Sequence, residues 1–393
     1  MKPKLHEDWI DPYAFQIVRN LQEGGFTTFL VGGCVRDLLA GIHPKDYDIA
    51  TNALPNQVRR RVSNSYVIGR RFRLVLARRG DQQFEIATFR RQASEEELAD
   101  ENNTVEGDNF FGSAEEDARR RDFTINGLFY DPIQHQVIDY VEGLKDIELG
   151  VLRMIGEPVP RLIEDPIRIL RAVRLSHKLK FVIEPELRKG ISEVASELRK
   201  SVLPRRREEW LKFLRLPDPL LAFQELYDLG VLKETLQALH LIFENESKLE
   251  IFEKHLRFLR LAGINHDDPI ELFSGFVFSM AKAHLGEDFS PQQLIEDNGF
   301  QIFMKEEAGM FKLEVGAFER ALNFMGALKR QENYLRRGER RRATFIANDA
   351  LPLAMKLSLL EKSLSAHEYK FWIDQIEYFS GTRPESIEPE VAD

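Results

Sequence analysis

Apolar positions along this chain recur with two different periods. Early on they come in short runs and alternations. Residues 29–31 (Phe-Leu-Val) enter Gly32-Gly33 and then a helix-compatible segment carrying Arg36 and Asp37, which predicts a strand, a tight turn and a helix start. Residues 45–49 (Lys-Asp-Tyr-Asp-Ile) and 83–90 (Gln-Phe-Glu-Ile-Ala-Thr-Phe-Arg) alternate as strands do, and residues 119–126 open a mixed helix-to-strand region that ends at 137–140. From Pro160 onward the spacing is that of a helix with one buried stripe, at Ile167, Leu170, Val173 and Leu175, with Pro166 suited to the first turn. Further amphipathic stretches follow at 203–216, 220–229, 249–261 and 270–283, without a fixed-period repeat. Strand and helix signals therefore mix in the first part of the chain, and only helical ones remain in the second.

The alternation carries chemistry. Alternate side chains of a strand share a face, so Asp46 and Asp48 project together, and Glu85 can join them from a neighbouring strand as a third carboxylate. Adjacent carboxylates repel. A divalent cation relieves that repulsion, and hard Mg²⁺ prefers oxygen ligands shared between one or two carboxylates and substrate phosphates. The plainer readings are a solvated Asp-x-Asp turn and an edge-strand glutamate facing water. Gly32 and Gly33 let the backbone approach a ligand closely, and the helix terminus after them, with Arg36 as a forked cation, suits a phosphate. Such turns are also purely structural, and no lysine-containing P-loop signature accompanies this one.

With 393 residues and 43% hydrophobic content, the chain has ample material for buried cores in two to four units. Its one cysteine, Cys34, allows no intramolecular disulfide, which fits a reducing cytoplasm, and the charged start MKPKLHEDWIDPY lacks an apolar signal core. No apolar run is long enough to span a membrane. The net charge of −9 averages opposed blocks. Residues 59–91 hold ten Arg against two acidic residues, whereas residues 92–118 hold ten Asp or Glu and no Lys or Arg. The basic block, with Arg70, Arg71 and Arg73, could track polyphosphate or an RNA backbone, or form a solvated face. The acidic stretch at 94–108 reads as a surface loop. A second basic patch at 329–342 holds seven Arg or Lys, among them Arg336 and Arg337, against two Glu, with Tyr334 as a candidate stacking surface; a solvated helix end fits equally. His266-Asp267-Asp268 hints at a metal-dependent phosphohydrolase, but its place in a Gly/Asn loop before Pro269 reads as a lead-in to a helix. The Pro- and acid-rich segment 380–393 reads as a frayed end.

GGCVRD, KDYDIATNALPNQVRR, EIATFRR, RRRDFTINGLFY and EDPIRILRAVR together resemble the class II nucleotidyltransferases, the family of bacterial poly(A) polymerases and CCA-adding tRNA nucleotidyltransferases, over roughly residues 25–215. The resemblance implies an α/β nucleotidyltransferase head, a mixed sheet with helices, at 1–145, followed by an all-α region. That region comprises a neck at 146–217 that recognises the base and an RNA-binding body and tail at 218–393. It further implies transfer of AMP from ATP to the 3′ ends of mRNA or other RNA without a template strand. Asp46, Asp48 and Glu85 form its catalytic set, and Asp46 and Asp48 hold two Mg²⁺ ions. The match to RRDFTIN makes Arg121, Asp122 and Asn126 nucleotide contacts beside Gly32, Gly33 and Arg36. The match to EDxxR makes Asp165 and Arg168, with Arg171 three residues on, the protein template that reads the base edge. From the residues alone, an N-capping aspartate with an i,i+3 salt bridge fits as well. Residues 67–74 resemble the segment that separates poly(A) polymerases from CCA-adding enzymes, while Leu76 stands where poly(A) polymerases commonly carry a histidine. A CCA-adding or A-adding enzyme acting on tRNA is the alternative. A second alternative, an RNA-binding protein with an inactive head, leaves the adjacent, repelling carboxylates without a purpose.

Overall fold

The computed structural model describes residues 4–69, 74–92, 110–286 and 288–382. The expectations for Arg70, Arg71 and Arg73, for the acidic stretch and for the chain's last residues therefore fall wholly or mainly outside the described residues. The chain forms two compact units, one of Met1–Arg168 with Lys178–Glu193 and one of Ile169–His177 with Val194–Asp393.

The first unit is built on a sheet. Its strands are β1 (Thr28–Val31), β2 (Asp48–Thr51), β3 (Ser65–Ile68), β4 (Leu74–Arg79), β5 (Gln82–Thr88), β6 (Leu128–Asp131) and β7 (Gln136–Asp139). Among the described residues these make one seven-stranded sheet in the order β3-β4-β5-β2-β1-β6-β7, antiparallel except where β2 lies beside β5. β1 is an inner strand and is buried along its whole length, which is why it reads as a continuous apolar run rather than an alternation. Where β1 meets β2, the hydroxyls of Thr28 and Thr51 satisfy each other at 2.8 Å in the buried interior.

Each face has its own helices. Helix α1 (Pro12–Glu23) begins at Asp11, whose carboxylate accepts the Tyr13 and Ala14 amides at 2.7 and 3.2 Å, and it packs Ala14, Ile17, Val18 and Leu21 over β1 and β2. Helix α2 (Gly33–Leu39) lies on β1 and β6, and α3 (Pro55–Arg61) on β3 to β5. In another cluster Phe29, Val31, Ala50, Phe89 and Phe129 pack against Ala114 and Ala118 of α4 (Ala114–Arg120). α4 starts with a Ser113–Glu116 capping box. The unit closes with α5 (Gly143–Leu149), α6 (Pro158–Glu164), the start and end of α7 (Ile167–Leu179), α8 (Pro185–Glu193), and the parallel pair β8 (Val151–Leu152) and β9 (Val182–Ile183).

The second unit is helical. The stretches expected at 203–216, 220–229, 249–261 and 270–283 form helices Leu203–Leu214, Pro219–Asp228, Glu246–Phe258 and Pro269–Leu285. Asp268 caps the last of these by accepting the Ile270 amide at 2.8 Å, so the His-Asp-Asp run is a helix lead-in, as read from the sequence. Tyr334 corrects an expectation: it is buried against Trp372 and Phe345, with ring centroids 4.9 and 5.2 Å away, and its hydroxyl donates to Gln375 Oε1 at 3.0 Å. An aromatic ring sitting in a basic run is here a core residue, because that run forms short helices that need an apolar anchor.

Candidate active site

β1 ends in a turn that only glycine tolerates. Gly32 adopts φ 69° and ψ −125°, its amide donates to the Leu128 carbonyl at 3.1 Å, and Gly33 opens α2. A Cβ on Gly32 would stand 2.8 Å from Nη1 of Arg121, so the missing side chain also makes room for that guanidinium. Next to this turn, Val31 is the registered partner of Asp48, and Asp48 is the registered partner of Glu85. Registered neighbours project from the same face, which aligns the turn, Asp48 and Glu85 across three adjacent strands. Asp46 precedes the hydrogen-bonded part of β2, yet the alternation already runs through it: Asp46 exposed, Tyr47 buried, Asp48 exposed, Ile49 buried. The Tyr47 hydroxyl donates to the Trp9 carbonyl and anchors the segment.

The charges on this face are in tension. The Asp48 carboxyl is pushed up to about 6, first by desolvation and then by the charge of Glu85, with Asp46 adding to it and Arg121 and Arg36 opposing. Asp48 nonetheless opens to solvent, so the crowding is that of a cleft, not of a sealed interior. Beneath it the buried Cys34 thiol donates to the Val31 carbonyl at 3.2 Å and is pushed up to about 12 by burial and then by Asp48, which makes it a packing group and not a nucleophile. Among the described residues, no group of three or more His, Cys, Asp or Glu is arranged to hold a metal ion by itself. The Asp46–Asp48 pair suits a hard cation that takes its remaining oxygens from water and substrate phosphates.

The cationic wall is Arg121. Its Nη2 and Nε donate to Asp117 Oδ2 at 2.9 and 3.2 Å, Nη1 reaches the Asn126 carbonyl at 3.4 Å, and the guanidinium lies 5.4 Å over the Phe129 ring. Arg36, Asp122 and Asn126 also come together, but as a buried network beneath the turn. Arg36 donates to Asp37 Oδ1 and, at 2.6 Å, to Asn126 Oδ1; Asn126 donates to Asp122 Oδ1 at 2.9 Å. Lys178 closes the network on Asp37 Oδ2 at 2.8 Å.

Asp165 sits between α6 and α7, with its carbonyl accepting the Arg168 amide at 3.0 Å. The Arg168 guanidinium pairs with Glu164 at 2.8 Å and donates to the Arg161 carbonyl at 2.6 Å. Arg161 in turn donates to the carbonyls of Arg120 and Arg121, both at 2.8 Å, and so ties α6 to the segment that carries Arg121. Burial, followed by the charge of Arg168, holds the Arg161 guanidinium below its usual range. Arg171 belongs to the second unit, where its charge acts on Glu209, itself paired with Arg174 at 2.6 Å. Arg336 and Arg337 are exposed in that unit; Arg336 pairs with Glu332 at 3.4 Å and Arg337 lies 5.2 Å over the Phe345 ring.

Residues 28–153 match the family model described as the Poly A polymerase head domain, and residues 180–242 match one described as a probable RNA and SrmB-binding site of polymerase A. By its head, the chain is similar to the poly(A) polymerases. Poly(A) polymerase I of Salmonella typhi is 44% identical over 223 residues, 55% of this chain and 48% of that protein. A CCA-adding enzyme of Lactobacillus helveticus is 34% identical over 215 residues, 55% of this chain and 53% of that protein. This chain thus spans about half the length of the curated relatives it matches. The fold is that of the Thermotoga maritima CCA-adding enzyme complexed with tRNA, at a TM-score of 0.59 and 20% identity over 98% of this chain and 87% of that one.

Sequence reasoning passed over Asp117 and Arg161. Asp117 was hidden in the acidic run, although its i,i+4 spacing to Arg121 was the available signal. For Arg161 the i,i+3 spacing to Glu164 was the available signal, but its backbone-carbonyl partners, about forty residues away in sequence, left none.

Proposed function

We propose that this chain is a template-independent RNA nucleotidyltransferase that adds AMP from ATP to the 3′ ends of mRNA or other RNA in the cytoplasm. The observation that carries this reading is the register Val31–Asp48–Glu85, which sets a glycine turn beside two in-line carboxylates with Asp46 next to them. In the reaction the RNA 3′-oxygen attacks the α-phosphorus of ATP and the bond to the β-phosphate breaks, so pyrophosphate leaves and no covalent enzyme intermediate forms. Two Mg²⁺ ions held by Asp46 and Asp48 would supply charge neutralisation at the attacking hydroxyl and at the leaving phosphates. Arg121, aimed by Asp117 and given room by Gly32, holds the triphosphate in line. Arg36, Asp122 and Asn126 keep the turn rigid from below. Asp165 and Arg168, with Arg171, select adenine, and Arg70, Arg71, Arg73, Arg336 and Arg337 hold RNA phosphates. The three-part division at 145 and 217 follows these roles: chemistry, base selection, RNA holding.

A second reading is a CCA-adding or A-adding tRNA enzyme. It is favoured by Leu76, which is buried on β4 as the registered partner of Glu85, where a histidine would be expected of a poly(A) polymerase. Both readings are tested by incubating pure protein with each NTP and either tRNA lacking its CCA end or unstructured RNA, then sequencing the products. The proposal expects long A tails on unstructured RNA. Incorporation that halts after one to three nucleotides and requires tRNA establishes the second reading instead.

A further inference from the structure

The row of side chains on the carboxylate face continues past Glu85. Gln83 stands two residues before Glu85, as Asp46 stands two before Asp48, and β2 runs parallel to β5 with Asp48 opposite Glu85. Gln83 therefore lies beside Asp46, on the same face. Arg78 of β4 is the registered partner of Gln83 and extends the row outward. Lys45, Asp46, Arg78 and Gln83 are all exposed. Between Asp46 and the β4–β5 turn opens a cavity of about 360 Å³, lined by Lys45, Asp46, Tyr47, Asp81, Gln82, Gln83 and Phe84. None of its lining residues comes from β1 or the Gly32 turn. Asp46 thus borders a cavity that Arg121 does not line, and phosphoryl transfer needs such a second place for the group that attacks.

We infer that this cavity takes the 3′-terminal ribose of the acceptor RNA and that Gln83 reads its 2′-hydroxyl. This rests on the nucleotidyltransferase reading above and names where the acceptor sits. A 2′-hydroxyl both donates and accepts hydrogen bonds, and the primary amide of Gln83 does the same. The 2′- and 3′-oxygens are neighbours on one ring, as Gln83 and Asp46 are neighbours on one face. A ribose whose 3′-oxygen approaches Asp46 therefore turns its 2′-oxygen to the amide. Lys45 and Arg78 supply cations for the last phosphodiester, a contact blind to sequence, as an enzyme that extends its own product requires. Gln83 is a positioning residue: it acts on the acceptor and leaves ATP untouched.

The test compares an unstructured RNA with the same RNA ending in a single 2′-deoxynucleotide that keeps its 3′-hydroxyl. Turnover (kcat/KM for the acceptor) and direct binding (Kd) are both measured, for the wild type, Gln83→Met and Gln83→Ala. Met keeps the length of the side chain without the amide, and an exposed strand position tolerates both changes. The wild type is expected to prefer the ribose end by about tenfold, the worth of one hydrogen bond. Both variants should lose that preference, with the KM for ATP and the rate on the deoxy end unchanged. A wild type indifferent to the 2′-hydroxyl in turnover and binding, or variants that keep the preference, overturns the inference. If the wild type extends no RNA at all, the nucleotidyltransferase reading falls, and the ratio of the two Kd values still decides what the cavity reads.

Discussion

Asp48 carries a strained charge. Its carboxyl is raised from the usual aspartate value of 3.8 to about 6, so the metal-free fold favours the protonated form. That contribution to stability is fully present below about pH 4 and is lost as pH rises through about 6. Asp48→Asn, which removes the charge at nearly constant shape, should therefore melt at a higher temperature than the wild type at pH 7.5 in chelator. The gap should close below pH 5, and added Mg²⁺ should narrow it at pH 7.5, because the ion binds only the ionised wild type. Melting curves at the two pH values check this, and an asparagine variant less stable than the wild type at pH 7.5 would contradict the assignment of the strain. Base selection also belongs at this scale. Asp165→Ala and Arg168→Ala should erode the preference for ATP over CTP by about tenfold or more while costing little stability, since a wrong base leaves the selecting groups unpaired. Competition between the two nucleotides, read by product sequencing, checks it; full retention of selectivity in both variants reduces the pair to a helix cap.

At the scale of elements, the catalytic face is made by register. A slip of β2 by one residue against β5 would turn Asp48 into the opposite layer and bring Tyr47 or Ile49 to the cleft. The alternation that forbids this slip was legible in the sequence, as were the strand end at 31 and the helices of the second part, whereas the strand read over 83–90 ends at Thr88. Partners that the fold supplies from a distance were not. Arg161 answers to backbone carbonyls, Lys178 to Asp37 some 141 residues earlier, and Tyr334 to a core formed by helices later in the chain. The nucleotide contacts expected at Arg36, Asp122 and Asn126 were legible only as a motif; that these three bond one another became visible once β1, α2 and the 122–126 segment met. Asp117 was lost in its own charge run, and it now yields a prediction. It fixes Arg121 and also accepts the Arg90 amide at 3.1 Å, so Asp117→Asn should loosen the cationic wall. The KM for ATP should rise about tenfold with a smaller change in the KM for RNA, as steady-state kinetics with each substrate varied will show. Equal changes in both would point to a general loss of structure.

At the scale of the whole molecule, a chain of net charge −9 is proposed to bind RNA, and the opposed charge blocks make that consistent, because local arginines and not the average meet a phosphate backbone. Its first unit carries the carboxylates, the glycine turn and the cationic wall, and its second is a helical body with arginines on its surface. The central claim is that Asp46 and Asp48 make this head a catalyst of A addition. The most direct measurement follows tail growth on unstructured RNA with ATP and Mg²⁺, comparing the wild type with Asp46→Ala and Asp48→Ala at matched melting temperatures. Loss of a metal ligand should cost about 3 kcal/mol or more of transition-state stabilisation, a hundredfold or greater fall in rate. The account predicts long A tails from the wild type and none from either variant. Tails made by either variant at near wild-type rate would contradict it.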